Sequence, residues 1–166
     1  MSARSDIDVL RRLAGQVAEI AARPVQNERR DLWRRHNSLR RTRPLIYVRW
    51  FACRSEVCPD DHLECEDPLF RSHERALRMS LLQDRINDDF IIEPWLAVRA
   101  HFATPSGADR WGPTIRHSSR TAERGSWHFE PAIRDESDLD KPAPPRPATD
   151  EAATAPAAGR LAEASA

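Results

Sequence analysis

The chain has 166 residues, room for one domain by the usual prior of about 100–200 residues. Its sequence holds no apolar run near the ~20 residues that span a bilayer. The 26 basic and 26 acidic residues cancel, so the whole molecule has no electrostatic bias toward nucleic acid or an acidic membrane.

The first stretch, MSARSDIDVL, is charged and lacks the apolar centre of a secretory signal, which makes a cytoplasmic location the default. Cys53, Cys58 and Cys65 are then expected as reduced thiols. Residues 5–22 read as a helix. Ser5 can cap it with Asp8 at capping-box distance, and Leu10, Leu13, Val17 and Ile20 fall on one face. That stripe suits the core or a partner helix. Pro24 ends the segment.

Asn27 is the expected cap of a second helix over 28–41, with Leu32, Trp33, His36 and Leu39 as a partial apolar face. Arg29, Arg30, Arg34, Arg35, Arg40 and Arg41 surround that face, and Arg43 lies just beyond. Such a cluster can meet phosphates or carboxylates through bidentate guanidinium contacts, or be a solvated face paired with nearby acids. Zero net charge and the lack of a nucleic-acid motif argue against RNA or DNA.

Leu45-Ile46-Tyr47-Val48 opens a strand over 45–49, since β-branched and aromatic residues run together there. The loop CRSEVCPDDHLECE follows. Cys58, His62 and Cys65 have zinc-ligand chemistry, with Cys53 a conceivable fourth. The loop lacks paired Cys-x2-Cys knuckles, so ordinary thiols are the expected reading and no metal is assigned. Asp67 is a strong N-cap and Pro68 suits the first helical position. Phe70, His73, Leu77 and Leu81 then give an amphipathic helix over 68–87. Asn87-Asp88-Asp89 is a turn.

The run from Phe90 to Val98 reads as a second strand, 90–98, interrupted by Glu93-Pro94. Glu93 thus falls near a strand end, facing either a cleft or solvent. Between 101 and 128, His101, His117 and His128 show no metal or dyad spacing, and Trp111-Gly112-Pro113 and Gly125-Ser126-Trp127 look like turns. From Lys141, the only lysine, the chain turns Pro/Ala-rich. Residues 141–166 are expected to be disordered, with room for one short helix at 158–165.

Taken in order, NERRDLWRRHNSLRRTRPLIYVRW, LECEDPLFRSHERALRMSLLQDRINDDFIIEPWLAV and SWHFEPAIRDESDLDK resemble the opening portion of the uroporphyrinogen decarboxylase-like superfamily. That superfamily contains uroporphyrinogen decarboxylases and corrinoid-dependent methyltransferases. The resemblance runs through most of residues 16–141. Its motifs are CEDPLF with a following Arg and Glu, FIIEPW and WHFEP, none of them a catalytic fingerprint.

The resemblance implies an α/β fold: N-terminal helices and the first βα units of a (β/α)8 barrel. The barrel is incomplete in region 1–140, because a full one needs roughly 250 residues. True decarboxylases carry Arg-Gln-Ala-Gly-Arg after the first strand, against the acidic side chains of the tetrapyrrole. Here the stretch is Arg49-Trp50-Phe51-Ala52-Cys53-Arg54, which keeps two arginines and lacks the Gln and Gly. The candidate substrate-binding residues are therefore Arg49, Arg54 and Glu93, and no motif names a cofactor. The expected function is an N-terminal fragment of such a protein, inactive alone. Its core would be closed by the rest of the barrel from an adjacent reading frame or by self-association. The alternative is a non-catalytic interaction module, binding a partner through its first helix and exposed strand edges.

Overall fold

The computed structural model of the chain describes residues 5–103, 116–120, 122, 125–144 and 148–165. The chain divides into two compact units, Met1–Val98 with Ala155–Ala166, and Arg99–Thr154. The expected single region 1–140 is thus replaced by a first unit that recruits the end of the chain. The Trp111-Gly112-Pro113 turn lies outside the described residues.

In the first unit, α1 runs Asp6–Ala21. Ser5 Oγ accepts from the Asp8 amide at 3.2 Å and donates to the Asp8 carboxylate at 2.8 Å. The amphipathic spacing of α1 buries Val9, Leu10, Leu13, Val17 and Ile20. α2 runs Pro24–Asn37 rather than 28–41. Pro24 begins this helix, because a proline at the first position lacks only an N–H that has no helical partner anyway. The helix stops early because Leu39 turns left-handed at φ 54°. The Arg40 amide then reaches Arg35 O and the Leu39 amide reaches His36 O, the double closure of a Schellman turn.

After a one-turn helix α3, Arg54–Val57, comes α4, Pro68–Ile86. Asp67 caps α4 by accepting from the Leu69 and Phe70 amides, and Asn87 closes it in the left-handed conformation, φ 55°. α1 packs on α4. Within the 141–166 stretch, expected as a disordered tail with room for a short helix at 158–165, Glu151–Ser165 forms a helix, α5. Alanine-rich sequence costs little to hold helical, and Leu161 and Ala164, three apart, enter the core beside α1, Phe70 and Leu77. Arg160 pairs with Asp67 at 2.7 Å and lies 4.7 Å over the Phe70 ring, while Arg11 donates to Glu163 O. Each fully buried Leu here contributes about 1.5–3 kcal/mol relative to exposure.

The stretches expected as strands, 45–49 and 90–98, form no strand, and no barrel is seen among the described residues. The molecule is mostly helical with a small antiparallel sheet. That sheet is in the second unit, where β1, His101–Ala103, pairs with β2, Ala148–Asp150, with Phe102 opposite Thr149. Also there, His117 and Phe129 form an isolated antiparallel bridge. His117, Trp127 and Phe129 cluster around it, with Arg120 over the Trp127 ring at 4.1 Å. No helix among the described residues is long and apolar enough to cross a membrane.

Candidate functional site

The site begins with a polar clamp at the C-terminal end of α4. Gln83 is buried. Its Nε2 donates to Asp88 Oδ2 at 2.6 Å and to Val48 O at 3.2 Å, and its Oε1 accepts from Trp50 Nε1 at 2.7 Å. Asp88 accepts from the Val48 amide at 2.7 Å and the Phe90 amide at 3.0 Å. Asp89 accepts from the Ile46 amide at 2.8 Å and from both ends of the Arg43 guanidinium. In return the Asp89 amide donates to Ile46 O at 2.8 Å, and Asp89 O accepts from Trp33 Nε1 at 2.7 Å. Arg43 is the main reason that the Asp89 carboxyl lies at about 2, well below its ordinary value. Burial opposes that shift, and the Ile46 amide adds to it.

The clamp holds residues 46–50 extended against α4 without a β-ladder. Tyr47 stacks on Phe90 with ring centroids 5.0 Å apart. Further along, the Ile92 amide donates to Oε1 of the fully buried Gln26 at 3.0 Å, so the 90–98 stretch is also tied by a side chain. These polar contacts take up amides that a barrel ladder would use.

A cavity of about 300 Å³ opens between the 47–54 stretch and α4. Arg49, Arg54, Trp50 and Tyr47 line it from one element, Met79, Ser80 and Gln83 from the other. Two of the three expected site residues, Arg49 and Arg54, are therefore brought together. Neither guanidinium hydrogen-bonds or pairs with an acid among the described residues. Glu93 is not part of this cavity. It is gripped by Arg30, whose Nε and Nη2 approach its carboxylate at 3.2 and 2.6 Å, and it serves to fasten α2 to the 90–98 stretch.

No protein-family model, curated protein or solved structure matches this chain. The chemistry of the cavity must be read from its own walls. The described lining residues offer guanidinium, indole, phenol, hydroxyl and amide groups, and no carboxylate, imidazole, thiol or amine. They can attract an anion and stack on a flat or apolar group. They hold no pair of groups fit to pass a proton or activate a nucleophile.

The cysteine loop is equally quiet. Among the described residues no group of three His, Cys, Asp or Glu side chains could hold a metal ion. Cys65 is fully buried and its Sγ faces Asp6 O at 3.7 Å. Burial and the neighbouring Glu74 push its thiol up to about 12, which leaves it protonated and unreactive. Glu74 is the organiser here. Its buried carboxylate accepts from the Glu64 and Cys65 amides at 2.9 and 2.8 Å and from Arg78 Nε at 2.7 Å. Burial alone would raise the Glu74 carboxyl, but these donors outweigh it and hold it below its ordinary value.

Sequence reasoning missed Gln83, Asp88, Asp89 and Gln26. Their one signal is the adjacent Asp88-Asp89 pair just past a helix C-terminus, where short acceptors can reach the free amides of a neighbouring segment.

Proposed function

We propose that the chain is a non-catalytic interaction module whose contact surface is the Arg/aromatic stretch 45–54. The observation that carries this reading is the 300 Å³ cavity, whose two arginines pair with no acid among the described residues and whose described lining holds no acid–base or nucleophilic set. The first helix, the other surface expected to bind, is already used: its apolar face is buried against α4 and α5.

A second reading keeps the resemblance to the uroporphyrinogen decarboxylase-like superfamily. In it the chain is an N-terminal fragment, completed by an adjacent reading frame or by self-association. What supports it is the order of the matching motifs and one backbone hydrogen bond, Asp89 N to Ile46 O, from the residue before the 90–98 stretch to the 45–49 stretch. Light scattering and a thermal melt of the purified chain separate the two. The module reading expects a monomer with a cooperative transition. A chain that aggregates or melts without cooperativity until co-expressed with its downstream reading frame would overturn the module and favour the fragment.

A further inference from the structure

We infer that the 45–49 stretch accepts an extended acidic peptide as an added strand, with the peptide's carboxylates meeting Arg49 and Arg54. This rests on the module reading and names the partner.

The backbone supplies the first argument. The amide and carbonyl of Ile46 and of Val48 all face the clamp formed by Asp88, Asp89 and Gln83. Bonds at residues two apart on one side are the repeat of an extended chain, in which alternate residues direct their N–H and C=O groups to opposite edges. By the same alternation Leu45, Tyr47 and Arg49 direct theirs to the opposite edge. They make none of the backbone hydrogen bonds seen among the described residues. An open edge of this kind is a template for strand addition. The clamp has already fixed its conformation, so the entropy cost of ordering it is met before any partner arrives.

Charge supplies the second. Residues 38–55 include Arg40, Arg41, Arg43, Arg49 and Arg54 and no Asp or Glu. Only Arg43 of these is paired with an acid among the described residues. Exposed apolar groups accompany them, Ile46 at 63% and Phe51 at 92% of full exposure. A strand with alternating acidic and apolar side chains complements this mixture. A nucleic acid would use the arginines and leave the edge empty.

The test uses the full chain and a short labelled peptide alternating valine and glutamate. Binding is expected, weakened by salt, and lowered at least about tenfold by Arg49→Glu with Arg54→Glu or by N-methylation throughout the peptide. Polyglutamate, with the charge but not the strand preference, should bind more weakly. Equal binding of polyglutamate or of single-stranded RNA, or indifference to N-methylation, overturns the inference in favour of a general polyanion surface. No peptide binding by a monomer that melts cooperatively overturns it while leaving the module reading intact. A chain with no cooperative melt overturns both.

Discussion

The first unit is held together in two different ways. Along α1, α4 and α5 the contacts are apolar: Leu10, Leu13, Leu77 and Leu161 are nearly or fully buried, and their energy comes from area removed from water. Along 43–51 and 88–93 polar contacts are added to the burial of Ile92 and the Tyr47–Phe90 stack. A handful of side-chain acceptors and donors stand where β-ladder partners would otherwise be. The first arrangement is non-directional and tolerates variation in detail. The second is directional, and each clamp group leaves a specific amide unpaired when removed. The first therefore sets whether the unit folds, and the second sets the shape of the surface lined by Arg49 and Arg54.

Breaking the apolar half should cost most. Leu10→Ala removes a side chain with no exposed area and leaves a cavity between α1 and its neighbours. A loss of about 3 kcal/mol is expected, within the usual range for buried Leu→Ala changes, and chemical denaturation should show it as a lower midpoint with unchanged slope. Next comes Glu74→Gln. The amide keeps the shape but takes a full charge from the Glu64 and Cys65 amides and leaves Arg78 with Glu64 alone of its two acids. About 2 kcal/mol should be lost, and the Cys65 thiol should become accessible to a thiol reagent as the 53–67 loop loosens.

The two halves differ in how they can be read from sequence. The amphipathic spacing of α1 and α4 and the caps Ser5 and Asp67 are local signals, complete within a few residues, and the structure uses both caps. The clamp is not local. Asp89 meets Ile46 and Arg43 more than forty positions away, and Gln26 meets Ile92 across sixty-six. Nothing in the composition of 45–49 distinguishes a strand paired by backbone from one paired by carboxylates, so its extended form was legible and its partners were not. α5 was obscured for another reason. Among the described residues its apolar anchors in the core are Leu161 and Ala164, too little apolar bulk to separate a packed helix from a solvated alanine-rich tail. Arg49 and Arg54 line one cavity, whereas Glu93 leaving for Arg30 depended on where α2 lies.

A smaller effect sharpens the polar half. Asp89→Asn should cost about 1 kcal/mol, since its Arg43 partner is more than half exposed and solvent screens that pair. Hydrogen exchange at the Ile46 amide should accelerate well beyond the global change. The pH dependence has a definite sign. The Asp89 carboxyl is depressed to about 2 in the fold against about 3.9 in an unfolded chain. Its contribution is complete above about pH 4 and is lost as pH falls toward about 2. The difference in melting temperature between parent and Asp89→Asn should be constant from neutral pH to about 4 and close below it. A difference that instead closed on the alkaline side would remove Asp89 from the clamp.

The smallest effect runs the other way. Leu39 sits at φ 54° in the Schellman turn that ends α2, and 96% of it is exposed. A β-carbon in the left-handed region costs roughly 1–2 kcal/mol, and an exposed leucine has almost no packing to set against that. Glycine adopts the same conformation without the clash but carries more entropy in the unfolded chain. Leu39→Gly should thus stabilise the unit by about 0.5–1 kcal/mol, raising the melting temperature by a few degrees. It should leave peptide binding at 45–49 unchanged if the leucine has no role in contact. A chain that instead gained no stability and lost affinity would place Leu39 on the same exposed surface as Phe51, and would extend the contact region back to the end of α2.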